Sequence, residues 1–318
     1  MEDLLTILDT YFFTNTSTPL FTALNRKIYR LAFHDCMGGC DGSIASTNAD
    51  NNGLSTVANV FSVAYSSNSA TISPSKAQIT GNLSRADFFA LIYLRAVGYG
   101  IKRGGGVPTF SNTTAAFKYG RGDNPNGALS DDLESTFPTG SGSWTANMAT
   151  ITAGLAGTIS DTELVTLLGL HGSGLMNSSN SGYSGPWGPA TDHNVINNNF
   201  YKNLLGVGFP NASLTQNTIT TTTFGSKVQW NGTRTSARVM LHADMGIYYD
   251  YTPDPVTQTT TYTYFPQGSN SVLTAGTSSS HFPLAATRAQ QAFEYANNNV
   301  LFLDDLISAM KKLSNVPN

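Results

Sequence analysis

The sequence predicts a mainly α-helical protein carrying one small β-ribbon. Three observations lead there. Apolar residues recur with helical spacing in most windows of the chain. Several of those windows open on helix-capping residues. A single Thr-rich stretch, 214–239, alternates apolar and polar residues instead.

In chain order, Leu4, Leu5, Ile7, Leu8, Tyr11 and Phe12 predict a first helix over Glu2–Phe13. Thr18-Pro19 puts an N-cap residue before a proline at the first helical position. The helix it opens runs through Leu20, Leu24, Ile28 and Leu31 to the glycines after Cys36. Leu54–Tyr65 and Arg85–Val97 share the apolar spacing, the second capped by Ser84 with Asp87 in its first turn. From Gly98 to Gly142, Gly, Pro, Asn and Asp accumulate and predict loops. Trp144–Leu155 predicts a further helix. Ser160-Asp-Thr-Glu163 is a capping box, and the helix it opens ends at His171, before Gly172-Ser173-Gly174. Residues 251–282 are polar and without helical period, which reads as an irregular insertion; Ala285–Asn298 and Val300–Leu313 close the chain as two helices.

Composition narrows the function classes. Of 318 residues only 12% are charged and the net charge is -3, which argues against nucleic acid or another polyanion as partner. No apolar run approaches the roughly 20 residues of a membrane span. Met1-Glu2-Asp3 is acidic and no apolar stretch with a cleavage site follows, so no signal peptide is expected in this sequence. Asn-x-Ser/Thr sequons at Asn15, Asn82, Asn112, Asn177, Asn211 and Asn231 lead us to expect a secreted glycoprotein.

The densest chemistry lies between Arg30 and Ser43. Arg30 and His34 are four residues apart, so on a helix they share one face, with Phe33 beside them. An imidazole shuttles protons near neutral pH and a guanidinium is a permanent positive charge. Together they would move a proton and stabilise the negative charge left by a breaking bond. Taken alone, the same pattern serves equally as a surface Arg and a core His.

Arg30-x-x-Phe33-His34-Asp35-Cys36, with Cys40, Asp41 and Ser43 beyond, resembles the distal haem motif of the fungal and plant secretory haem peroxidases. The resemblance implies the haem peroxidase fold, with haem b between a distal lobe, 1–143, and a proximal lobe, 144–318. It implies that His34 takes a proton from hydrogen peroxide and returns it to the leaving oxygen, that Arg30 stabilises the departing hydroxide, and that Phe33 packs on the haem. Asn51, in Asn51-Asn52-Gly53-Leu54, resembles the family's Asn that holds the distal His ring by a hydrogen bond; an ordinary Asn-Gly turn is the alternative.

The second half resembles a different branch. Leu164–Gly174 is similar to the helix bearing the axial His, which makes His171 the iron ligand. Ser181-Gly-Tyr-Ser-Gly-Pro-Trp187-Gly188 is similar to the cytochrome c and ascorbate peroxidases, where that Trp lies against the axial His. Met240-Leu-His242-Ala-Asp244 resembles the family's Leu-Pro-x-Asp segment, with His242 in place of proline. Asp244 is then expected to accept hydrogen bonds from His171 and Trp187 and to make the imidazole a stronger donor. The chain resembles a hybrid, secretory in its distal half and intracellular in its proximal half.

Other expectations follow from the same likeness. Asp35, Asp41 and Ser43, with the Gly39 carbonyl, match the oxygen ligands of a distal calcium site. Cys36 and Cys40 are expected to form a local disulfide holding that loop. Gly172 and Gly188 stand where a second, proximal cation site has hydroxyl ligands, so one calcium is expected. Without that cation Trp187 is expected to store an oxidising equivalent as a radical. The implied reaction passes through a ferryl intermediate and oxidises a small phenolic donor or a redox protein in one-electron steps. The Arg used for ascorbate falls near Asn180, no acidic cluster resembles a manganese site, and Leu129-Ser130 replaces a usual Leu-Pro. Trp144, Trp230 and several tyrosines are candidate electron relays and equally ordinary core residues. The competing classes are a non-catalytic haem-binding glycoprotein and a metal-only hydrolase using His34 with Asp35.

Overall fold

A computed structural model describes residues 20–66, 83–106, 117–129, 137–155, 159–205, 213–232, 238–248, 261–263 and 286–314. The chain divides into two compact units. One comprises Met1–Phe137, Thr152–Ile159 and Ile307–Asn318; the other comprises Pro138–Ile151 and Ser160–Leu306. The expected helix over Glu2–Phe13, the cap at Thr18-Pro19, and the sequons at Asn15, Asn82, Asn112 and Asn211 lie outside the described residues, as does nearly all of 251–282.

The first unit is built on three helices, α1 (Leu20–Met37), α2 (Ser55–Ser66) and α3 (Arg85–Arg103). All three pack on one another. Ser84 starts α3 by accepting the Asp87 amide hydrogen (3.0 Å), and Phe88, Phe89, Leu91, Ile92 and Tyr93 are all buried along it. The helix continues past Val97, where the glycines of Gly98-Tyr99-Gly100 predicted a loop. Burial of Val97 and Ile101 on either side outweighs a cost of about 1 kcal/mol per helical glycine. Helix α1 stops at Met37 because Gly39 and Cys40 take left-handed backbone angles (φ 106° and 57°).

In the second unit, α4 (Trp144–Gly154) begins with Trp144, whose indole donates to Asp161 (3.1 Å) under the Arg288 guanidinium. The capping box is present: Ser160 and Glu163 hold the start of α5 (Asp161–Leu168) reciprocally. His171 was expected at the end of that helix; it sits instead on a tighter 3₁₀ turn, Gly169–Ser173. Glycine at 169 permits this, since a Cβ there would come within 2.6 Å of the Tyr201 hydroxyl. A short antiparallel pair, β1 (Leu175–Met176) and β2 (Gly185–Pro186), flanks the one-turn α6 (Ser178–Ser181), and α7 (Asn199–Leu205) follows.

The expected ribbon is β3 (Ser213–Thr221) against β4 (Gly225–Gly232), extended by β5 (Val239–Leu241), which runs into α8 (His242–Met245). Residues 251–282 were expected to be irregular, but Thr261–Thr263 forms β6, because a Thr-Tyr-Thr run suits a pleated edge. The sheet is antiparallel with order β5-β4-β3-β6. The chain ends in α9 (Ala286–Asn297) and α10 (Asn299–Ser314). Helices α5 and α7 both pack on α9, where Tyr201, Tyr295 and Phe302 cluster. Among the described residues no helix is long and apolar enough to cross a membrane.

Candidate active site

Helix α1 presents Arg30, Phe33 and His34 in its last turns. The His34 Nδ1 lies 2.7 Å from Asn51 Oδ1, while Asn51 Nδ2 donates to the Ala45 carbonyl (2.8 Å). That second bond fixes the amide, so its oxygen faces the ring, His34 Nδ1 carries the proton and Nε2 keeps a lone pair. Burial and the neighbouring Arg30 push the His34 pKa down to about 3, against a smaller upward effect of Asn51. The imidazole is therefore a neutral base over the whole working range of most proteins. Arg30 donates to the Asn52 carbonyl (2.9 Å) and to the Asp50 carbonyl, tying itself to the turn that carries Asn51. Its fork has five N–H groups, so donors remain for a ligand.

Phe33 meets the His34 ring edge-on at 6.1 Å between centroids. Phe137 stacks on it at 4.2 Å with 27° between planes. Sequence reasoning missed Phe137. It lies outside the helices and strands, where periodicity carries no signal.

Of the proposed calcium ligands, Asp35 in the last turn of α1 and Asp41 and Ser43 on the loop after it are linked by hydrogen bonds, and Cys36 and Cys40 are joined in a disulfide. Asp35 and Asp41 are both buried. Asp35 Oδ1 accepts from the Gly42 and Ser43 amides (3.0 and 3.2 Å) and its Oδ2 from the Tyr93 hydroxyl (2.8 Å). Asp41 accepts from the Ser43 hydroxyl (2.6 Å) and the Asn124 amide (3.0 Å). Burial and the Asp41 charge raise the Asp35 pKa to about 7, despite the Tyr93 and backbone donors. Among the described residues neither carboxylate forms an ion pair, and no cluster of three or more His, Cys, Asp or Glu side chains converges. Two buried, mutually repelling carboxylates beside the Ser43 hydroxyl form a hard-oxygen donor set of the kind a divalent cation takes.

In the second unit, His171, Trp187 and Asp244 form one network. Asp244 is fully buried. Its Oδ1 lies 2.8 Å from His171 Nδ1, and its Oδ2 accepts from the Trp187 indole (2.7 Å) and the Leu241 amide (2.8 Å). The three bonds use up a charge that would otherwise be costly to bury. They also fix the His171 tautomer: Nδ1 donates to the carboxylate, and Nε2 keeps its lone pair. The imidazole stacks on Trp187 at 4.5 Å between centroids and meets Phe200 edge-on. About a third of the side chain is open (32%), and an imidazole whose Nδ1 is held by a carboxylate is a donor that fits a haem.

The glycines that follow His171 and Trp187 in the chain are both closely packed. A Cβ at Gly172 would stand 2.9 Å from Phe200 Cβ, and one at Gly188 3.0 Å from Asp192 Oδ2. Asn180 lies on α6 in half-buried surroundings. His242, read above only as a departure from proline, accepts a hydrogen bond from the buried Trp230 indole (3.1 Å).

Comparison with known proteins identifies the family. A family model described as peroxidase matches residues 13–262. The mitochondrial cytochrome c peroxidase of Candida glabrata is 51% identical over 45 residues, covering 14% of this chain and 12% of the relative. The chain thus spans about an eighth of the length of that curated relative. Resting on the match that runs through most of both units, the chain belongs to the peroxidase family.

Proposed function

We propose that this chain is a haem-dependent peroxidase that reduces hydrogen peroxide and oxidises a donor one electron at a time. The observation that carries this reading is the pair of imidazoles, His34 and His171. Each has Nδ1 tied to a buried acceptor and Nε2 left bare. One suits proton transfer and the other metal ligation.

Haem b, when bound, supplies the electron-transfer chemistry. His171 would hold the iron through Nε2, with Asp244 raising its donor strength. His34 Nε2 takes the proton of the attacking peroxide and delivers it to the departing oxygen; Asn51 keeps the ring oriented for both steps. Arg30 places its charge where the leaving oxygen becomes negative. Phe33 and Phe137 line the His34 ring and exclude water from it. Trp187, with its indole N–H on the Asp244 carboxylate, holds one oxidising equivalent as a radical.

Asp35, Asp41, Ser43 and the Gly39 carbonyl would hold a calcium ion, whose charge would relieve the repulsion between the carboxylates. The donor is a small phenol or a redox protein, and the likeness to a cytochrome c peroxidase supports including cytochrome c in a donor screen. We place the protein outside the cell, with Asn177, exposed at the N-cap of α6, as an accessible glycan acceptor.

Stopped-flow mixing of the haem-loaded protein with a slight excess of peroxide tests the reading. A rapid Soret change is expected, slowed by about 10²–10⁴ in His34→Leu. No change in the wild-type spectrum would leave a haem-binding protein without peroxidase activity. Electron paramagnetic resonance in Trp187→Phe tests the radical assignment.

A further inference from the structure

Trp230 and His242 form a second indole–acceptor pair in the proximal unit, and the reaction proposed above does not use it. Trp230 lies on β4 opposite Met240 of β5, two residues before His242. Both side chains are almost wholly buried (2% and 5% exposed). The rings meet edge to face, at 84° between planes and 5.5 Å between centroids. The indole N–H only donates, so the 3.1 Å bond makes His242 Nδ1 the acceptor and puts the imidazole proton on Nε2.

We infer that Trp230 and His242 form a proton-coupled redox pair, a second place in the protein where an oxidising equivalent rests. The inference builds on the peroxidase reading, which supplies the peroxide-derived oxidant. In the step, one electron leaves the Trp230 indole for that oxidant. The indole N–H bond breaks, and its proton forms a bond to His242 Nδ1. A neutral indolyl radical and an imidazolium result, and the pair gains one positive charge. When a donor returns the electron, the proton returns along the same bond.

The geometry couples the two transfers tightly. With Trp230 reduced, protonating His242 would set two N–H groups against each other across 3.1 Å. With Trp230 oxidised and deprotonated, the same imidazolium N–H meets a lone pair. Burial, which pushes the His242 pKa down to about 4, keeps the imidazole neutral and ready to accept. Asp244 makes the contrast with Trp187. There the indole donates to a carboxylate already shared with His171 and the Leu241 amide, an anion that steadies a cationic radical where it stands. A segment of three residues, 242–244, thus serves one indole with a proton acceptor and the other with a fixed negative charge.

High-field electron paramagnetic resonance on the haem-loaded protein, frozen milliseconds after one equivalent of peroxide, tests this, with the Soret band followed in parallel. In Trp187→Phe an indolyl radical is expected with the g-tensor of the neutral, deprotonated form. It should vanish in Trp187→Phe/Trp230→Phe. In Trp187→Phe/His242→Gln most of it should be lost, since glutamine accepts the hydrogen bond but not the proton. Should the variants lacking Trp230 fail to take up haem, the His242→Gln variant carries the test. A Soret response in Trp187→Phe with no indolyl radical, a radical of the cationic form, or a signal that survives loss of Trp230 or is unchanged by His242→Gln would overturn the pair alone. An unresponsive wild-type Soret band overturns the peroxidase reading, and the pair with it.

Discussion

His34 and His171 differ in what receives their Nδ1 proton. Asn51 offers a neutral amide oxygen, whereas Asp244 offers a buried carboxylate, so His171 is the more electron-rich of the two. Asp244→Asn keeps the shape and removes the charge. Reaction with peroxide is expected to slow by about 10–100-fold, with a lower iron–histidine stretching frequency by resonance Raman. His242 makes a separate prediction. Its pKa is about 4 in the fold against a reference of 6.5, so the unfolded chain binds more protons between those values. The contribution of the neutral ring is complete above about pH 6.5 and is lost as the pH falls toward 4, on the order of 3 kcal/mol in all. Urea unfolding at pH 7 and pH 4.5 should show this decline in the wild type and a smaller one in His242→Gln.

Among the elements, those with strong caps and period were legible in the sequence. The start of α5 and both ends of α9 fall within a residue of their patterns. What was not legible is where tertiary packing overrides local preference. Helix α3 runs through two glycines because its surroundings bury both flanks, and His171 sits on a 3₁₀ turn because Tyr201 and Phe302 crowd residue 169. The turn also makes Gly172 a steric necessity, since Phe200 Cβ lies close to its own backbone and cannot swing away. Gly172→Ala is expected to cost about 1–3 kcal/mol by chemical denaturation, from overpacking.

At the scale of the whole molecule, the residue types of the site were readable because each chemical role restricts them to fixed spacings. The partners brought together by the packing of separate segments were not: Phe137 on His34, Tyr93 of α3 on Asp35 and Trp230 of β4 on His242 are set by tertiary structure. The loop from Asp35 to Ser43 gives the global prediction. If calcium offsets the Asp35–Asp41 repulsion, removing it with EGTA lowers the melting temperature by several degrees, since a ligand at about 100 times its Kd adds about 2.7 kcal/mol. Asp41→Asn should blunt that response, as measured by differential scanning calorimetry with and without added calcium.

The hold of Arg30 on the Asp50 and Asn52 carbonyls has a consequence for how this protein can vary. The two carbonyls flank Asn51, so the side chain proposed to serve the leaving oxygen also seats the amide that is bonded to His34. Substitutions at 30 and 51 are therefore epistatic: once either is lost, the other has less left to lose. In a double-mutant cycle, the loss in Arg30→Leu/Asn51→Ala should fall short of the summed single losses by about 0.5–3 kcal/mol of barrier. Drift at one position would then relax selection on the other, and the pair would be kept or abandoned as a unit.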